Sequence, residues 1–406
     1  MKIKFKILAL MLVFLFCLQT FALAVSVSAE SAILVEVSTG RIIYEKNSTK
    51  QMFPASTTKM MTAILVIENC DLQETATVSE TALQNIPSGY VTCNLSVGEE
   101  ISVNDLLYAL MIPSANDAAF VLAEHVAGSV DAFSDMMNSK AREIGCTNTH
   151  FVNPNGIHDS KHYSTAYDLY LIAKYCMQNE TFKDLVSTTE YTLPATNMHD
   201  VEDRSFSTTN DLLNPEKTNY YKTATGIKTG HTSMAGYCLV SESSRDGLDF
   251  ISVVLNGETD NKRFQDAVRL FDYGYDNYTL TKVKEKNQLI ETVEVENATK
   301  ETMHLDLLID EEITVINNKS ITIDQIIPEI KINEEILAPI STGDILGTIK
   351  YKVDDIEYSA NLVAKNDVLE KPNYSIFLVI AGIILLLVAI TIITRKKHTS
   401  KRRKRR

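Results

Sequence analysis

Three short constellations in this chain carry residue types that could do chemistry. Ser56-Thr57-Thr58-Lys59 sets a hydroxyl and an amine three residues apart, directly before the apolar run Met61, Ile64, Leu65 and Ile67. On a helix, residues three apart are neighbours, so Ser56 and Lys59 share one face near the positive N-terminus. A serine is a poor nucleophile at neutral pH without an adjacent base, and a lysine is that base only where its surroundings lower its pKa. The same tetrapeptide also reads as a serine cap followed by an exposed lysine, and about one S-x-x-K is expected by chance in a chain of this length. The second constellation is Ser114-Ala115-Asn116, exposed at a helix start by the break at Pro113. S-x-N is weak alone, because it recurs at Ser102-Val103-Asn104, which reads as a helix cap, and at Ser359-Ala360-Asn361. The third is Lys228-Thr229-Gly230, expected by chance on the order of 0.1 times and present once.

The elements that must position these residues are legible around them. Ile33 to Val37 and Arg41 to Tyr44 flank Ser38-Thr39-Gly40 as a β-hairpin with glycine at the turn. A helix runs from Met60 to about Asn69, and helical spacing returns from Val103 to Ala127 either side of Pro113. Another helix covers Ala132 to Ile144, with Gly145 as its C-terminal glycine. Residues 147–168 are turn-rich, with Asn153-Pro154-Asn155-Gly156, His158 and His162; with no third ligand nearby, the histidines read as loop hydrogen-bonding groups rather than a metal site. Strands occupy Thr218 to Gly257, and a helix from Asn261 to Tyr273 turns Phe264, Ala267, Val268 and Phe271 inward. A sheet that starts and ends one domain, with helices between, is an α+β plan. Beyond it lie short alternating strands such as Glu291 to Glu296 and Ile345 to Val353.

The two ends fall outside any core. Lys2, Lys4 and Lys6, an apolar run from Ile7 to Leu18 and small residues to Ala29 read as a secretory leader cut near Ala29. Ile376 to Ile393 is an uncharged run of membrane-spanning length, followed by nine Lys or Arg residues to Arg406. Basic residues accumulate on the cytoplasmic side, so the tail is expected inside and the bulk of the chain outside. Without the nine tail cations and three leader lysines, 27 basic residues face 52 acidic ones, a formal charge near -25. That surface excludes nucleic acid as a partner. Five cysteines outside the leader, without C-x-x-C, give neither a metal site nor a disulfide framework. The division expected is a leader at 1–29, an α+β domain at 30–280, an all-β domain at 281–366, a linker at 367–375, a transmembrane helix at 376–393 and a basic tail at 394–406.

In this order behind a leader, the three constellations resemble the set of penicillin-binding proteins and class A β-lactamases. Pro54-Ala55-Ser56-Thr57-Thr58-Lys59-Met60-Met61-Thr62, Ser114-Ala115-Asn116-Asp117-Ala118, Gly226-Ile227-Lys228-Thr229-Gly230-His231-Thr232 and Ala235-Gly236-Tyr237-Cys238 are similar to the low-molecular-mass D-alanyl-D-alanine carboxypeptidases, the S11 serine peptidases. The likeness covers roughly residues 30–280. It implies a β-lactamase-like catalytic domain, an antiparallel sheet with helices, then a β-sandwich and a membrane anchor of Gram-positive type.

The resemblance also implies roles. Ser56 attacks the carbonyl between the terminal D-alanines of a peptidoglycan stem peptide and is acylated. Lys59 takes its proton, its pKa depressed by Lys228 through like-charge repulsion and further by burial. Ser114 relays a proton to the leaving amine, Asn116 holds the substrate and orients Lys59, and the backbone N–H groups of Ser56 and His231 form the oxyanion hole. Thr229, Gly230, His231, Thr232 and Arg263 are the substrate-binding set, although Arg263 also reads as an ordinary helix-surface charge. β-Lactams acylate Ser56, and no metal or organic cofactor is required. A β-lactamase and a non-hydrolytic wall-binding protein of the same fold stay open as other readings, the former lacking an E-x-x-x-N after Gly156.

Overall fold

The computed structural model describes residues 25–84, 86–200, 204–372 and 374–403. The expected leader therefore lies, for residues 1–24, outside the described residues. The chain divides into two units, Met1–Thr279 and Leu280–Arg406.

The first unit is organised on a five-stranded antiparallel sheet. Its strands are β1 (Ser31–Glu36), β2 (Ile42–Lys46), β3 (Ala224–Thr232), β4 (Gly236–Arg245) and β5 (Leu248–Gly257). Their spatial order is β2-β1-β5-β4-β3, so the two ends of the unit meet at the β1–β5 ladder, with Ser31 opposite Leu255 and Glu36 opposite Phe250. Between β2 and β3 the chain leaves the sheet as helices α1 (Lys59–Asn69), α2 (Val103–Met111), α3 (Asn116–Ala127), α4 (Val130–Ile144) and α5 (Ala166–Cys176). It closes with α6 (Asp260–Asn277).

Strand residues alternate between faces, so successive apolar residues of one strand enter two different cores. Ile33, Val35, Ile251, Val253 and Leu255 join Met60, Ile64, Leu107 and Phe133 in one core with the inserted helices. Leu34 and Phe250 turn the other way and meet α6 at Gly274, where a Cβ would stand 3.0 Å from Phe250 and 3.1 Å from Leu34. With both faces covered, the central strands β1 and β5 read as nearly continuous apolar runs, Ala32 to Val35 and Phe250 to Leu255 broken only by Ser252. The helix from Val103 to Ala127 is two helices, as the break at Pro113 requires. Ser102 caps α2 by accepting from the Asp105 N–H, and Gly128 and Gly145 close α3 and α4 with φ of 76° and 99°.

Residues 27–29 are part of this packing. Val27 and Ala29 are buried. Ser28 Oγ and the Ala29 N–H donate to the buried Asp266 carboxylate at 2.8 and 2.9 Å, and Lys46 Nζ donates to the carbonyls of Val27 and Ala29.

The second unit carries a five-stranded antiparallel sheet, in which the strand Ile356–Ala364 pairs on one side with Ile345–Val353 and on the other with His304–Ile309. A separate apolar core of Leu305, Leu307, Val315, Ile349 and Leu362 fills it. A helix at Tyr374–Arg403 follows, and within it Phe377–Arg395 is long and apolar enough to cross a membrane.

Candidate active site

Ser56 lies in a single 3-10 turn, Ala55–Thr58, and α1 begins at Lys59. A regular helix through both residues is therefore not what forms. In 3-10 geometry residues three apart eclipse, which stacks the amine over the hydroxyl. Lys59 Nζ stands 3.0 Å from Ser56 Oγ. It also donates to Asn116 Oδ1 at 2.9 Å and to the Asn155 carbonyl at 3.2 Å. Those two oxygens can only accept, whereas a serine hydroxyl can donate. A neutral amine with two N–H bonds therefore spends both on Asn116 and Asn155 and turns its lone pair to the Ser56 hydroxyl.

The electrostatics favour that neutral form. Lys59 is completely buried, and burial is the largest cause holding its pKa well below the usual lysine value. The charge of Lys228 lowers it further, while the Asp117 carboxylate opposes both. The order is the reverse of the expectation, which put repulsion before burial. Lys228 is itself buried, brought down to about 7 by desolvation and then by Arg263.

Backbone approaches too close for a side chain build the turn. Ala55 has a φ of 50°, and a Cβ on Gly156 would meet the Ala55 carbonyl oxygen at 1.8 Å. Gly156 must therefore be glycine for the loop to deliver the Asn155 carbonyl to Lys59. A Cβ on Gly230 would likewise lie 2.9 Å from the Ser56 nitrogen, so β3 can pass beside the Ser56 N–H only without a side chain there. His162 fixes the same loop. Its Nδ1 accepts from the Val152 N–H at 3.2 Å and its Nε2 faces Thr58 Oγ1 at 2.8 Å. Burial lowers its pKa to about 3, so the ring is neutral and Nε2 carries the proton donated to Thr58.

Asn116 is the first residue of α3. Its backbone N–H and its Nδ2 both donate to the Val91 carbonyl at 2.9 Å, which turns Oδ1 towards Lys59. Asp117 anchors that loop by accepting from the backbone N–H groups of Cys93 and Leu95. Ser114 has a φ of 67°, and its Oγ is buried with no hydrogen-bond partner among the described residues.

Ser56, Ser114 and Asn116 face Thr229, Gly230, His231 and Thr232 across an open cavity of about 410 Å³, which Arg263 also lines. Lys59 and Lys228 lie behind its wall. His231 is exposed, with its ring stacked on Tyr237 at 4.2 Å. Arg263 is no surface charge. It is 6% exposed, donates through Nη1 to the carbonyls of Gly230 and Cys238, and pairs through Nη2 with Asp260 at 2.5 Å. Sequence reasoning missed Val91, Asn155, Asp117 and Thr209, whose hydroxyl lies 2.5 Å from that of Thr229. The Asn-Pro-Asn-Gly turn signalled a tight loop around Asn155, but nothing local marks Thr209 or Val91.

A family model described as D-alanyl-D-alanine carboxypeptidase matches residues 19–259, and one described as the C-terminal domain of penicillin-binding protein 5 matches 278–370. D-alanyl-D-alanine carboxypeptidase DacF of Bacillus subtilis (strain 168) is 32% identical, over 86% of this chain and 88% of its own. Among solved structures, penicillin-binding protein 5 of Haemophilus influenzae superposes with a TM-score of 0.66 at 28% identity, covering 85% of this chain and 98% of that one. A peptidoglycan synthesis regulatory factor, PBP3, of Streptococcus pneumoniae gives 0.68 at 25%, covering 84% and 100%.

The depressed pKa of His162 has a consequence for stability. The unfolded chain binds this proton near pH 6.5 and the folded one near 3. The contribution is complete above 6.5 and is lost as pH falls towards 3, by a few kcal/mol at most, about 1.4 per pH unit. Urea unfolding across that range should show a shallower loss in His162→Gln than in the unaltered chain.

Proposed function

Since the chain belongs to the D-alanyl-D-alanine carboxypeptidase family, serine peptidases that cleave the terminal D-Ala-D-Ala bond through an acyl-enzyme and are inhibited by penicillin, we propose that Ser56 is the nucleophile and Lys59 its base. The observation that carries these roles is the wholly buried Lys59 amine 3.0 Å from Ser56 Oγ, with its two N–H bonds committed elsewhere.

Ser56 Oγ attacks the carbonyl carbon as its proton passes to Lys59 Nζ. The oxyanion is held by the backbone N–H groups of Ser56 and His231, the former beside the gap that Gly230 leaves. When the C–N bond breaks, the proton returns to the leaving amine through Ser114, whose unpartnered hydroxyl suits a group that finds its partner in the substrate. Free D-alanine departs, and water hydrolyses the ester on Ser56. Asn116 holds Lys59 and the substrate backbone, and Lys228 keeps Lys59 deprotonated. The hydroxyls of Thr229 and Thr232 and the positive field of Arg263 receive the terminal carboxylate; with Nη1 and Nη2 already engaged, Arg263 acts more by charge than by a bidentate bond. A β-lactam presents a carbonyl and a carboxylate to the same groups.

The apolar helix is the anchor. With nine cations after it and a leader before the catalytic unit, the peptidase stands on the outer face of a cell of Gram-positive type, where its stem-peptide substrates are. The packing of Val27, Ser28 and Ala29 into the first unit supports a leader cut before residue 27 rather than after Ala29. Cleavage after Ala22-Leu23-Ala24, a small-x-small site, leaves that packing whole.

Fluorescent penicillin should label the full chain, and a stem pentapeptide should lose one D-alanine. Ser56→Ala should abolish both, a fall on the order of 10⁴ or more in rate; labelling that survives would overturn the assignment. Acylation requires neutral Lys59, so its rate should decline on an acid limb as Lys59 takes up its proton. In Lys228→Ala the lost repulsion raises the Lys59 pKa and moves that limb to higher pH, so a pH–rate profile identical in the two proteins refutes the coupling. Intact-mass measurement of the exported protein should give Val25 as the first residue, whereas Glu30 would restore the later cut.

A further inference from the structure

Three potential metal ligands converge at the end of α1 farthest from Ser56. Cys70 is the C-cap residue of α1, Glu74 directly precedes the short strand Thr75–Thr77, and His125 lies in the last turn of α3. The Cys70 thiol, a Glu74 carboxylate oxygen and a His125 ring nitrogen all lie within 4.8 Å of one another, and His125 Nε2 is 3.1 Å from Glu74 Oε2. No local pattern marks this cluster, since Glu74 and His125 lie 51 positions apart and the cysteine has no C-x-x-C partner.

We propose that Cys70, Glu74 and His125 form a binding site for a divalent zinc ion. Thiolate, imidazole and carboxylate are the donors zinc takes, at roughly 2.3, 2.0 and 2.0 Å, and a tetrahedron with such bonds has edges of about 3.3–3.6 Å. The His125–Glu74 separation already falls near that edge, and the longest spacing must close by only about 1 Å. Side-chain rotation supplies this, because Glu74 is half-exposed. The backbones need not move. Cys70 N–H donates to the Val66 carbonyl, Glu74 N–H to the Asp71 carbonyl, and Val103 N–H to the Glu74 carbonyl, each within 3.0 Å. On binding, the thiol proton leaves for solvent as the Zn–S bond forms, with no change of oxidation state, and water fills the fourth position. The ion joins the far ends of the two helices whose near ends present Lys59 and Asn116.

The unaltered protein supplies a test that needs no variant to fold. Cys93, Cys146, Cys176 and Cys238 are buried, and Cys70 is the partly exposed cysteine among the described residues. In the full chain in detergent, mass-mapped alkylation of Cys70 should slow at least about tenfold with excess Zn²⁺ and not with equimolar Mg²⁺. Co²⁺ should give tetrahedral visible bands with a thiolate charge-transfer band, at one ion per chain. Cys70→Ser should remove the charge-transfer band, and His125→Gln should weaken Co²⁺ binding by roughly 10–100-fold. Penicillin labelling of both variants reports that they are folded. Cys70 alkylation indifferent to Zn²⁺, or a charge-transfer band that survives in Cys70→Ser, overturns the site.

Discussion

The catalytic unit depends on keeping one amine away from water. An ammonium buried without a counter-charge costs several kcal/mol, and a protein escapes that cost by letting the group give up its proton. Among the described residues Lys59 has no carboxylate within hydrogen-bond reach; its partners are a hydroxyl, an amide oxygen and a carbonyl. The surrounding core of Met60, Met61, Ile64 and Phe133 thus has two effects. It stabilises the fold, and it lowers the pKa of the lysine, as the role proposed for Lys59 requires.

Lys228 raises the stakes of the same arrangement. A second buried lysine, itself brought to about 7, is a poor choice for stability alone, because both groups must discharge or repel. Asp117 partly offsets this by lowering the cost of a proton on Lys59, while its oxygens are chiefly occupied with the Cys93 and Leu95 N–H groups. The balance favours the neutral form of Lys59 while leaving it close to charges of both signs, which suits the proton transfer proposed for it.

Precision comes from backbone crowding rather than from side-chain reach. The Asn155 loop touches the Ser56 turn through Gly156, and β3 passes the Ser56 nitrogen through Gly230. Positive φ values at Ala55 and Ser114 are tolerated because neighbours on both sides fix these residues. Arg263 serves the same end, tying β3 to β4 through the Gly230 and Cys238 carbonyls from beneath.

Much of this was readable from residue order. Hydrophobic periodicity located the β1–β2 hairpin, α1 and α4, Pro113 separated α2 from α3, and an uncharged apolar run located the helix long enough to cross a membrane, because these features depend on neighbours a few residues apart. The motifs supplied Ser56, Lys59, Ser114, Asn116 and Lys228 as a set. Only the tertiary structure decided how they act. Whether Lys59 is exposed or wholly buried, whether burial or Lys228 dominates its pKa, and whether Arg263 lies on a surface or under a sheet all turn on contacts between residues 25 or more positions apart. The Val91 and Asn155 carbonyls came from the fold for the same reason: a backbone oxygen has no sequence signature, and its role exists only once another segment has packed against it.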